Sequence, residues 1–121
     1  MLKKLIPSND KLLHEKILKC SYNLDRGKLS YTLTENMFHH NGVGLSANQI
    51  GIKERAFVMI SDMESQDTLT CFNPKIVKES KEMVTMEEGC LSYPELFLNI
   101  ARPETIVVSM KMKEKNFIRL N

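Results

Sequence analysis

The chain lacks most of the features that announce a function at first reading. No apolar run approaches the roughly 20 residues of a membrane span, so no spanning helix is expected. Met1-Leu2-Lys3-Lys4-Leu5-Ile6-Pro7 carries two lysines but no apolar stretch behind them, and no secretory signal is expected there. Neither charge sign is in excess. With 17 basic and 15 acidic residues the net charge is +2, which excludes the strong basic footprint of a nucleic-acid binder or a membrane-surface protein. The three cysteines, Cys20, Cys71 and Cys90, are odd in number and show no C-x-x-C spacing. That usage points to a reduced, cytoplasmic protein, not a disulfide framework. Internal repeats and low-complexity segments are absent as well.

What remains is an ordinary globular composition. The 121 residues, 42 % hydrophobic and 26 % charged, suit one domain over 1–121 with a single core. Ser8-Asn9-Asp10 is a turn or cap signal, and Leu12, Leu13, Ile17 and Leu18 predict a short helix over Lys11 to Cys20. Leu29, Leu33, Met37 and Phe38 recur at helical spacing and predict a helix over 28–41, stopped by Gly42. Arg55 to Ile60 is a short apolar run fit for a buried strand. Leu69 to Pro74 and Lys75 to Val77 read as two strands, or as one broken at Pro74. Phe97 to Ile100 is a further short strand. Ile106, Val108, Met110 and Met112 alternate with Val107, Ser109, Lys111 and Lys113, the pattern of a half-buried strand. Glu114-Lys115-Asn116 turns it, and Phe117 to Leu120 pairs back as a hairpin arm. The expected class is α+β: an antiparallel sheet packed on one main helix.

Two stretches carry chemistry. Glu87-Glu88-Gly89-Cys90-Leu91-Ser92-Tyr93-Pro94 sets a thiol on a turn bounded by Gly and Pro, beside two carboxylates. A thiolate is a good ligand for a borderline-soft divalent metal. Gly89 would supply a backbone conformation closed to other residues, and Pro94 would fix the exit of the turn. A lone cysteine is more often a small buried hydrophobe, as expected for Cys20 on an apolar helical face and for Cys71 on a strand. The second stretch is Gly42-Val43-Gly44-Leu45-Ser46-Ala47-Asn48-Gln49. A phosphate-cradling loop needs a strand before it and a helix after it; here a helix precedes and a strand follows. A backbone lying against an extended ligand fits better, with Gln49 offering an amide donor for a developing oxyanion. His39 and His40 are adjacent, diverge on a helix and cannot chelate one ion together. With His14 they complete the histidines.

Together these stretches resemble the peptide deformylase family. Gly42 to Gln49 is similar to its G-h-G-L-A-A-x-Q motif (h apolar), with Ser46 as a departure, and Glu88-Gly89-Cys90-Leu91-Ser92 is identical to its E-G-C-L-S motif. The Asn73-Pro74 pair and Arg102 strengthen the likeness, which runs from about Ile6 to the chain end. The resemblance implies removal of the N-formyl group from N-terminal formyl-methionine of nascent proteins, at the ribosome. It implies iron(II) or zinc held by Cys90 and two histidines. Gln49 and the backbone N–H of Leu91 become the catalytic donors that polarise the formyl oxygen. Val43 and Gly44 become substrate contacts, and Glu88 with Arg102 an ion pair supporting the cysteine turn.

One departure is large. The family's third motif, H-E-x-x-H on a helix, supplies two ligands and the general base, and no such pattern occurs in this sequence. The expectation is a deformylase-like domain without the C-terminal metal-binding helix. It would leave apolar sheet surface exposed, or covered by a complementing chain or by self-association. Three readings follow: an enzyme completed by a missing segment, a binding module that grips formyl-methionyl or other short peptides by strand addition, and an inactive remnant.

Overall fold

The computed structural model describes residues 1–111 and 115–120. Its one α-helix among these residues, α1 (Arg26–His39), begins where Asp25 accepts a hydrogen bond from the Lys28 N–H, an ordinary N-cap. Leu29, Leu33 and Met37 lie four residues apart on one face and are buried. The helix ends in a Schellman arrangement. Gly42 N–H donates to the Met37 carbonyl and Asn41 N–H to that of Phe38, with Asn41 at φ 59°. The left-handed position expected of Gly42 is therefore held by Asn41, whose short polar side chain tolerates it.

Among the described residues, eight strands form three small antiparallel sheets rather than one continuous sheet. The first has the order β1-β2-β3, from β1 (Gly44–Ser46), β2 (Ala56–Asp62) and β3 (Asp67–Phe72). The second is β4-β7-β8, from β4 (Lys75–Glu79), β7 (Ile106–Lys111) and β8 (Lys115–Leu120). The third is a hairpin of β5 (Met83–Cys90) and β6 (Tyr93–Pro103). The α+β class holds. Asn73, at φ 52°, and Pro74 turn the chain out of the first sheet and into the second, so Pro74 separates two strands.

The run expected to be helical over Lys11 to Cys20 makes only a 3-10 turn at Lys11–Leu13, capped by Asp10. Lys16 and Lys19 interrupt its apolar face, and Cys20 packs half-buried against the core from irregular chain. The strand foreseen at Phe97–Ile100 extends to eleven residues through Pro94. Met112 and Glu114 lie outside the described residues, and Lys115 and Asn116 already belong to β8.

The core joins the helix to the first sheet. Leu29, Leu33 and Met37 pack with Leu45, Ala47, Ile50, Ala56, Val58 and Phe72. The N-terminal segment is strapped along the helix by one buried polar residue. Asn36 accepts from the Lys3 N–H at 2.7 Å and donates to the carbonyls of Met1 and Thr32 at 3.0 and 2.8 Å. His40 binds the Lys3 carbonyl, and farther along Ile6 N–H donates to the Gln49 carbonyl at 2.9 Å. Replacing Asn36 by Ala removes three part-buried hydrogen bonds of a buried side chain and should cost about 2 kcal/mol, against less than about 0.5 kcal/mol for exposed Tyr31→Ala. Urea unfolding checks this; equal midpoints for the two variants would show that the strap contributes nothing.

Candidate functional site

The two motifs meet at one cleft. The first enters as β1, whose Gly44, Leu45 and Ser46 pair with Met59, Val58 and Phe57 of β2. Leu45 points into the core, 2 % exposed. A 3-10 turn at Ala47–Ile50 follows and lifts Gln49 out of the sheet. Its side-chain oxygen accepts the Ser46 N–H at 2.9 Å, so the amide oxygen is occupied by a backbone donor. The amide nitrogen faces the second motif.

That motif is the tip of the β5–β6 hairpin. Cys90 pairs with Tyr93, and Leu91-Ser92 makes the turn. The register jumps between Gly89 and Cys90, so that Pro94, Glu95 and Leu96 loop out on β6. Pro94 thus opens a bulge inside the strand. Gly89 has no positive φ, and the special conformation expected of it is not used. Space explains the glycine instead, since a Cβ there would lie 2.7 Å from the Phe97 ring. Gly42 is a second close approach, where a Cβ would come within 2.6 Å of the Leu91 side chain. Leu91 also packs on the core cluster, which seats the cysteine turn over the glycine-rich loop. At Gly44 a Cβ would meet only ordinary van der Waals contact, with the Val58 carbonyl oxygen at 3.5 Å.

Between the motifs, Gln49 Nε2 donates to Ser92 Oγ at 3.0 Å and lies 3.7 Å from Cys90 Sγ. Val43, Gly44, Gln49, Cys90, Leu91 and Phe97 are among the residues that line a cleft of about 550 Å³. A smaller one of about 360 Å³, bounded by Glu88, Tyr93, Leu98, Ile100 and Arg102, opens on the other side of Cys90. The thiol is exposed between them. Burial pushes the Cys71 thiol up to about 11 and raises that of Cys20, so both stay protonated, as core residues should.

Arg102 Nε donates to Glu88 Oε2 at 2.6 Å. That hydrogen bond, reinforced by the guanidinium charge, holds the Glu88 carboxyl below its ordinary range. The pair spans the strands behind the cysteine and is largely open to water. Six of the seven residues singled out from the sequence come to the hairpin tip and the loop facing it; Arg102 is paired with Val84 near the other end of the hairpin and reaches Glu88 through its side chain.

The described residues do not by themselves make up a metal site. Among the described residues no three His, Cys, Asp or Glu side chains converge. His14 Nε2 is engaged by the Ser8 carbonyl and His40 Nε2 by that of Lys3, each at 2.8 Å, and the His39 ring lies edge-on to His40. Around Cys90 the nearest polar groups are an amide and a hydroxyl, a donor set that does not fit iron(II) or zinc. Ser92 carries no role in the sequence reading, although its place two residues after the cysteine was the available signal. The packing of Leu91 on Gly42 had no signal in residue pattern.

Flanking this cleft, the β5–β6 hairpin exposes Met83, Met86, Leu96, Phe97 and Leu98. No helix among the described residues is long and apolar enough to cross a membrane.

Sequence and fold comparisons converge on one family. A protein from Synechocystis described as a peptide deformylase is 36 % identical over 86 residues, which cover 69 % of this chain and 46 % of that protein. One from Thermotoga neapolitana with the same description is 40 % identical over 86 residues, 71 % of this chain and 51 % of its own length. The chain thus spans about half the length of the curated relatives it matches. A probable peptide deformylase from Synechococcus phage S-SSM7 superposes with a TM-score of 0.88 at 29 % identity, over 98 % of this chain and 84 % of that one. The Thermotoga maritima peptide deformylase gives 0.82 at 31 % identity, over 98 % and 80 %. The family model for polypeptide deformylase matches residues 2–121, and on that match the chain belongs to the peptide deformylase family.

Proposed function

We propose that this chain takes part in hydrolytic removal of the N-formyl group from N-terminal formyl-methionine, supplying the peptide cleft, the carbonyl-binding donor and the Cys90 thiol beside it. The observation that carries the reading is the meeting of Gln49 Nε2 and Cys90 Sγ, 3.7 Å apart, at the mouth of the larger cleft. A formyl carbonyl placed there has an amide N–H in reach, and the Leu91 N–H is the second donor that the family motif implies. Such donors act because charge builds on the carbonyl oxygen during attack; one well-placed donor is worth about 10²–10³ in rate in acyl transfer.

The peptide itself has a place to lie. In the order β1-β2-β3, β1 is an edge strand, and its free edge at Gly44 suits an added strand, with Val43, whose carbonyl accepts the Ile60 N–H, just before it. Gly44, with no side chain, lets a second backbone come close. Glu88 and Arg102 brace the hairpin from behind. The family works with a bound metal, supplied through the motif cysteine and two histidines. Of that set the described residues offer Cys90 alone, so binding is the part of the activity assigned to them, and the setting is the cytoplasm where nascent chains emerge. Binding without turnover is the second reading. The scatter of the histidines favours it for the described residues taken by themselves.

Calorimetry with formyl-Met-Ala and its unformylated counterpart tests the assignment. The formyl peptide should bind about fivefold more tightly, the worth of one hydrogen bond of about 1 kcal/mol, and Gln49→Ala should erase the preference. Equal affinity for both peptides in the unaltered chain would contradict it. The brace has its own test in pH. Because the Glu88 pKa is lowered on folding, its contribution is present above the ordinary value of 4.5 and is lost as pH falls through the folded value. The difference in unfolding midpoint between the chain and Arg102→Ala should be largest near neutrality and close below about pH 4.5. A gap unchanged in acid would mean that the pair does not support the hairpin.

A further inference from the structure

Resting on that reading of the cleft, we propose that Ser92 is the positioning residue for Gln49, its hydroxyl fixing the amide with the N–H edge turned toward Cys90. A glutamine amide presents an acceptor at one end and two donors at the other, and its terminal torsion is broad. Left alone, Gln49 could turn either edge, acceptor or donor, toward a ligand carbonyl. Two contacts remove that freedom. Ser46 N–H can only donate, so it selects the oxygen, at 2.9 Å. Ser92 Oγ takes the nitrogen at 3.0 Å from the far side of the cleft. Reversing the amide would set its NH₂ against the Ser46 N–H, donor on donor.

The geometry divides the work between the two partners. Ser46 belongs to the same turn as Gln49 and sets which edge faces out. Ser92 lies 43 residues away, on the turn that carries Cys90, and so ties the donor to the position of the thiol. Nε2 donates to Ser92 Oγ at 3.0 Å and, more weakly, to Cys90 Sγ at 3.7 Å; the long contact to sulfur is the one a ligand oxygen beside Cys90 would take over. The tether also spans the same gap that Leu91 closes by packing on Gly42. Packing seats the hairpin tip over the loop, and the hydroxyl sets the direction of the donor within it.

The test uses the full chain labelled with nitrogen-15, reading the Gln49 side-chain amide signals together with calorimetry of formyl-Met-Ala against Met-Ala. In the unaltered chain the two amide protons should be well separated and away from free-glutamine positions. Ser92→Ala should move them toward those positions and reduce the formyl preference at least threefold. Ser92→Thr, which keeps the oxygen, should restore both. Unchanged amide signals in Ser92→Ala would overturn the proposal, and so would signals that move while the formyl preference stays intact. That second result would leave the proposed function standing. No formyl preference in the unaltered chain would bring down the proposed function and this role with it. Should Ser92→Ala fail to fold, the unaltered chain still decides: Gln49 amide protons at free-glutamine positions would overturn the tether.

Discussion

The burial of one helical stripe against one short strand is the constraint on which the rest depends. Leu33 and Met37 are wholly removed from water, and Leu45 beside them is 2 % exposed. Fully burying such side chains is worth about 1.5–3 kcal/mol each, which makes this packing a dominant local term. Because strand side chains alternate, seating Leu45 in the core turns Gly44 and Ser46 away from it. The 3-10 turn that follows then has little choice but to carry Gln49 to the open side. The placement of the amide donor is a consequence of core packing two and more residues upstream.

The hairpin tip is held differently. Its strands are exposed on much of both faces, and only Leu91 reaches the core cluster. Polar contacts therefore matter more here than in the first sheet. Gln49 to Ser92, Tyr93 Oη to the Ser8 carbonyl, and Arg102 to Glu88 fall within or just behind the same tip. The N-terminal strap adds a second line of support, since Ile6 binds the Gln49 backbone while Asn36 and His40 hold the strap to the helix. Site geometry and the N-terminal segment are thus joined through residue 49.

Much of this was legible in the residues. Leu29, Leu33 and Met37 announce the helix by spacing, and Gly42 to Gln49 with Glu88 to Ser92 mark the two stretches that meet at the cleft. The failures have physical causes. Leu12, Leu13, Ile17 and Leu18 have helical spacing, yet Lys16 and Lys19 break the face and tertiary contacts claim the segment for irregular structure. The division into three sheets depends on which strands pair, and alternation within a strand carries no information about its neighbour. Asn41 in place of Gly42 as the left-handed residue is a shift of one position that the Schellman bonds decide. The Ser92 tether joins residues far apart in the chain, and composition cannot reveal such a contact.

The central claim is that the cleft between Gln49 and Cys90 is where a formylated peptide lies. Mapping formyl-Met-Ala onto the labelled chain by nitrogen–proton correlation spectra tests it most directly. The account predicts shifts concentrated at Val43, Gly44, Cys90, Leu91 and the Gln49 side-chain amide. A competing cavity of about 440 Å³ lies between the helix and β3, lined by Gly27, Ser30, Thr70 and Phe72 among others. Shifts gathered there, with the Gln49 amide unmoved, would contradict the account.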